Sequence, residues 1–95
     1  MLQCFRSNGG ALQKGINTDL SADGKNYHVQ TEDWGIKNPY LVTRIYRNGA
    51  VLKTIKLPYQ RVLEGKEQDF QETIRLAMKE QHYEILDLIH SGQIK

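Results

Sequence analysis

Cysteine, proline and tryptophan are scarce in this chain: one, two and one among 95 residues. With Cys4 alone, no disulfide can form within the chain, and a structural zinc centre built mainly on thiolates is excluded. A lone cysteine fits a reducing compartment, so the expected location is the cytoplasm. No run approaches the roughly 20 apolar residues that cross a bilayer. The opening Met1-Leu2-Gln3-Cys4-Phe5-Arg6 has no stretch suited to export. An excess of one charge is missing too, since 13 Lys and Arg against 11 Asp and Glu leave a net charge of +2. A dedicated nucleic-acid binder is usually more basic, with its charge on one face. Nucleic acid is therefore not the expected partner, and neither is a membrane.

The usual catalytic signatures are also missing. There is no G-x-S-x-G elbow, no phosphate-cradling glycine loop and no metal-protease helix. An enzyme is not expected, nor a cofactor, nor a bound metal. What remains is ordinary for a folded domain: 39% hydrophobic and 25% charged residues. A chain of this length makes one domain with a thin core, which association with another molecule would help.

Turn chemistry organises the first half. Residues 7–15 hold three glycines and read as the end of a flexible arm, residues 1–15, ahead of one domain over 16–95. Asp23-Gly24 and Asn48-Gly49 suit two-residue hairpin turns, whose central positions need positive φ. Folding about the first turn pairs Ala22 with Lys25, Leu20 with Tyr27, Thr18 with Val29 and Ile16 with Thr31. Those pairs are mainly apolar, and the opposite face is polar, as a half-buried antiparallel pair requires. Folding about the second turn pairs Tyr46 with Val51, Arg44 with Lys53, Val42 with Ile55 and Tyr40 with Leu57. Leu41, Ile45 and Leu52 then fall on the other face. Both faces carry large apolar groups, so one should pack on a helix and the other needs a second cover.

Gly35 and Asn38-Pro39 mark a loop between the hairpins, and Pro58 ends the last strand. A helix is predicted over about residues 66–90. Glu67, Asp69 and Glu72 crowd its start, and Gly92 can end it. Its core stripe is Phe70, Ile74, Ala77, Met78, Gln81, Ile85 and Leu88, widened late by Leu76, Tyr83, Leu86 and Ile89. The fold class is thus α+β: a four-stranded antiparallel meander of two hairpins, then one long C-terminal helix.

Candidate sites are few. His28, Gln30 and Glu32 share one side of a strand, where they form either a small polar site or a solvated face. One histidine with one carboxylate falls short of the three or four ligands of a good metal site. Trp34 either anchors a partner or folds back as a lid. Arg44, Arg47, Lys53 and Lys56 are the candidate anion-binding set, with a solvated sheet edge as the alternative. His82 and His90 read as surface groups, and Cys4 has no evident activating neighbour.

Tyr27-His28-Val29-Gln30-Thr31-Glu32-Asp33, then Gly35, Asn38-Pro39, Thr43, Ile45-Tyr46, Gly49, Val51-Leu52 and Tyr59, resemble the pattern of a small bacterial domain to which no activity is attached. The likeness covers about residues 24–90. It implies a bacterial source and a domain used alone and as a module, and it carries over no catalytic residue. The expected function is a non-catalytic protein-interaction module or small adaptor in a bacterial assembly, with Trp34, Leu41, Ile45, Leu52, Tyr83 and Leu86 as its partner-binding set. A second copy is one candidate partner. The alternative is a ligand- or nucleic-acid-binding domain that uses the basic second hairpin.

Overall fold

The computed structural model describes residues 13–64 and 70–94. Four strands follow in chain order: β1 (Ile16–Ala22), β2 (Lys25–Asp33), β3 (Tyr40–Arg47) and β4 (Ala50–Pro58). Each pairs antiparallel with its chain neighbour, giving the sheet order β1-β2-β3-β4. A single helical turn, α1 (Tyr59–Val62), leads towards the long helix α2 (Phe70–His90). This is the expected α+β meander with a C-terminal helix. The arm as far as residue 12, with Cys4, and the acidic helix start at Glu67 and Asp69 lie outside the described residues. The last residues expected in the arm are tied to the fold: the Gln13 N–H donates to Asp33 at 2.9 Å and its amide to the Gln71 carbonyl at 3.2 Å.

The hairpin turns sit where the dipeptides place them. Asp23 and Gly24 have φ of 57° and 75°, and Asn48 and Gly49 have 55° and 80°. Asparagine and aspartate tolerate this left-handed region and glycine enters it freely. The β1–β2 register also agrees, with Leu20 opposite Tyr27 and Thr18 opposite Val29. Along β2, Tyr27, Val29, Thr31 and Asp33 are buried, while His28, Gln30 and Glu32 between them are half-buried. Asp33 is the last residue of the strand.

The β3–β4 register differs from expectation. Tyr46 still faces Val51, but Ile45 faces Lys53, so Leu52 is an extra residue on β4. Such a β-bulge offsets all later pairs by one, and a one-residue offset turns side chains to the other face. Thr43 faces Ile55 and Leu41 faces Leu57, while Arg44 faces Thr54. The expected Arg44–Lys53 pair does not form. Ile55 and Leu57 move to the inner side, the side of α2, and Leu52 packs against the core there. The apolar surplus expected on the opposite face largely disappears.

Helix α2 buries Ile74, Met78, Gln81, His82, Ile85 and Ile89. Most of that stripe follows the predicted period, with Leu88 only half-buried and Ile89 taking its place. His82 is a correction: expected at the surface, it has no exposed area. Gly92, at φ 82°, ends the helix. Its N–H reaches the Ile89 carbonyl and the Gln93 N–H reaches that of Leu88, a pairing that satisfies two of the last free carbonyls. The core lies between α2 and the inner sheet face in two clusters. One gathers Tyr27, Val29, Ile45, Ile85 and Ile89, the other Leu41, Tyr59, Ile74 and Met78.

Candidate functional site

Between those two clusters runs a buried polar chain. Gln81 donates to Thr43 at 2.9 Å, and Thr43 lies 2.7 Å from Thr31. Thr31 lies 2.8 Å from Nδ1 of His82, whose Nε2 lies 2.8 Å from Thr18. An amide nitrogen only donates, so Thr43 accepts from Gln81. Either hydroxyl can donate in the Thr43–Thr31 bond. In a neutral imidazole one ring nitrogen donates and the other accepts, so Thr31 and Thr18 take opposite roles. Burial, then the charge of His28, pushes the His82 pKa below its ordinary value. With both ring nitrogens engaged and no exposed area, His82 is a structural histidine.

A second buried group closes the loop end of the sheet. Asp33 accepts hydrogen bonds from the Tyr59 hydroxyl, the Gly35 N–H and the Gln13 N–H. Burial first, then the Asp33 carboxylate, raises the Tyr59 pKa, so the phenol stays protonated and donates. The Tyr59 N–H also bonds the Pro39 carbonyl at 2.9 Å. Thr31, Asp33, Gly35, Thr43 and Tyr59 all serve these two networks.

The outer face of the sheet carries an open hollow of about 880 Å³, lined in part by Asp19, Ser21, His28, Gln30 and Tyr46. His28, Gln30 and Glu32 do share that face. His28 Nδ1 bonds the Asp19 carboxylate at 2.7 Å, and its ring lies 5.8 Å from that of Tyr46. Carboxylates only accept, so Nδ1 carries the proton and Nε2 is left without one in the neutral ring. No serine, threonine or cysteine hydroxyl or thiol is bonded to that nitrogen among the described residues. No group of three or more His, Cys, Asp or Glu side chains converges among them either. Trp34 folds back onto this face. Its indole N–H bonds Glu32 at 3.3 Å, and its ring centre lies 5.6 Å from Arg44 and 4.9 Å from Lys56. Those two cations flank Val42, which is only 1% exposed although it points away from α2. The tryptophan is the lid of that small cluster.

The inner face is not fully covered. Helix α2 packs over β2, with β1 and β3 on either side, and α1 bridges β4 and α2 at one end. Between β4 and α2 a groove of about 690 Å³ stays open. Ile55 and Leu57 line it from the strand, Val62 from α1, and Leu76, Ala77 and Leu88 from the helix. Leu76 is 47% exposed there. The bulge created this floor, since without it Ile55 and Leu57 would face the other way. Among the described residues β4 is also an edge strand, with one side of its backbone free of strand pairing.

The expected partner-binding residues are dispersed. Leu41 and Ile45 have no exposed area and belong to the core. Leu52 and Leu86 pack half-buried against the Ile45 cluster. Tyr83 is 53% exposed on α2, its ring edge-on to His82. The basic set divides as well. Arg44 and Lys56 lie on the outer face beside Trp34, while Lys53 and Arg47 fall on the inner side, opposite Ile45 and Ala50. The groove was missed because the bulge that builds it leaves no glycine or proline mark. Leu76 and Leu88, one beside and one within the predicted helical stripe, were its only signal.

No helix among the described residues is long and apolar enough to cross a membrane. The chain finds no match among protein-family models, curated proteins or solved structures.

Proposed function

We propose that the chain is a non-catalytic interaction module that docks a protein partner in the groove between β4 and α2. One observation carries the reading: the inner face of β4 is left uncovered beside a helix that presents Leu76, Ala77 and Leu88 to the same space. A partner's apolar face can cover such surface, as when an amphipathic segment lies in a hydrophobic groove. The protein's own histidines support a binding role over a catalytic one. His82 is spent on the core, and His28 is held by Asp19 with no nucleophile bonded to it among the described residues. The basic second hairpin is a weaker platform, because its cations point to two opposite faces. A cytoplasmic setting accompanies the reading, favoured by the single cysteine.

A photo-crosslinking amino acid placed at position 76 in living cells tests this, with positions 36 and 51 as controls. Ile36 and Val51 are 60% and 52% exposed, so they sample encounter at other surfaces. The expected result is one discrete adduct at position 76 and little at the controls. No adduct, or equal adducts at all three positions, would contradict the proposal. An adduct of twice the chain mass would make a second copy the partner.

A further inference from the structure

We infer that the occupant of this groove is an amphipathic helix of a partner, about four turns long, with basic side chains along the flank that meets α2. The inference rests on the docking reading above and names what fits.

Geometry selects a helix. Four strands spaced about 4.8 Å apart make a sheet about 19 Å wide, and one helix is about 10 Å across. Since α2 is centred over β2, a neighbour packed at the usual 8–10 Å from its axis lies above β4. An extended segment behaves differently. It would pair along the β4 edge, in the plane of the sheet, and leave the groove above β4 open. The groove runs from Thr73 to Leu88 on α2, a span of about 22 Å at 1.5 Å per residue, or four helical turns.

Charge sets the flank and the direction. Glu80 and Glu84 stand one turn apart on the α2 wall, both exposed. Neither has an ion-pair partner among the described residues. Lysines or arginines on the occupant would meet them. Arg61 lies at the α1 end, beside the start of α2. The negative end of a helix dipole is favoured there, so the occupant runs antiparallel to α2 with its C-terminus towards Arg61. A second copy cannot supply this helix, because the apolar stripe of α2 is already committed to its own core through Ile74, Met78, Ile85 and Ile89.

The test uses three synthetic 16-residue peptides and fluorescence anisotropy with the full chain. One carries leucines at helical spacing with lysines on one flank. The second replaces those lysines by glutamates. The third has the first one's composition in alternating, strand-favouring order. The lysine helix is expected to bind at least tenfold more tightly than either of the others. Leu76→Asp should weaken it at least tenfold, which separates groove binding from loose attraction to acidic residues. Glu80→Lys with Glu84→Lys, both at exposed positions, should invert the preference in favour of the glutamate helix. Equal or tighter binding of the alternating peptide, an unchanged preference in the double variant, or no binding of any peptide at 1 mM would overturn the inference. A chain lacking residues 1–12 is run alongside. If only that form binds, the protein's own N-terminal segment is the occupant and the inference fails. A discrete crosslink at position 76 with any of these failures removes the helix and leaves the docking reading standing. Loss of the crosslink removes both.

Discussion

Replacing Thr31 by valine removes one hydroxyl and almost no volume, so it isolates the polar chain from packing. Thr31 has no exposed area, and its Oγ1 joins Thr43 at 2.7 Å to His82 at 2.8 Å. Valine leaves two groups without their Thr31 partner: Nδ1 of His82 and the Thr43 hydroxyl. Each unpaired buried group costs about 1–3 kcal/mol, so a loss of about 2–4 kcal/mol is expected after some relaxation. The whole domain is stable by only about 5–14 kcal/mol at the usual 0.05–0.15 kcal/mol per residue. Since 1 kcal/mol moves the Tm of a domain this size by about 4–8 °C, Thr31→Val should melt about 10–25 °C below the parent. Urea and thermal denaturation followed by circular dichroism at pH 7.5 measure this. Thr54→Val, at an exposed position opposite Arg44, is the control and should stay within about 0.5 kcal/mol. If Thr31→Val melts within 2–3 °C of the parent, roughly what 0.5 kcal/mol allows, the chain from Gln81 to Thr18 contributes little to holding α2 on the sheet.

Three other outcomes follow from the same geometry. Below pH 6.5, the ordinary histidine value, the unfolded chain protonates His82 before the folded chain does. Stability contributed by the neutral ring is therefore complete above pH 6.5 and falls as pH drops towards the lowered folded value. Hydrogen bonds with Thr18 and Thr31, the nearby charge of His28 and the edge-on Tyr83 ring surround that imidazole. Urea midpoints between pH 7.5 and 5.5 should decline, and His82→Gln should flatten the decline; an equal slope in both would count against the assignment. Tyr59→Phe should cost about 1–3 kcal/mol by leaving the buried Asp33 carboxylate one donor short, and a melting curve like the parent's would mean water takes its place. Gly49→Val should cost about 1 kcal/mol or more, because a β-branched residue resists the φ of 80° found there; unchanged stability would mean that turn can adopt another form.

Local chemistry was legible in the sequence where one residue type answers one backbone need. Asp23-Gly24 and Asn48-Gly49 announced their turns, and alternation along β1 and β2 announced which side is buried. The β3–β4 register was not legible, because the bulge at Leu52 turns Ile55 and Leu57 to the core side, a tertiary arrangement with no local marker. The same holds for His82. It sits four residues after Met78 and eight after Ile74, within the buried helical period. Its polarity argued for the surface until Thr18 and Thr31 were seen to satisfy both nitrogens. Trp34 could equally fold back or stand out, and Val42, Arg44 and Lys56 beneath it decided the matter. The groove between β4 and α2 was invisible for a related reason: it is a relation between two elements, a helix centred over β2 and an edge strand turned by a bulge.

The central claim is that a helix-wide slot above β4 stands empty in the free protein. Methyl-resolved NMR with a water-soluble paramagnetic agent measures this directly. Methyl signals of Leu76, Leu88, Ile55 and Leu57 should broaden strongly, while those of Val29, Leu41, Ile45 and Ile74 should not, since these have no exposed area. If the groove methyls are shielded as well as the core methyls, the slot is already filled in solution and the docking account is contradicted.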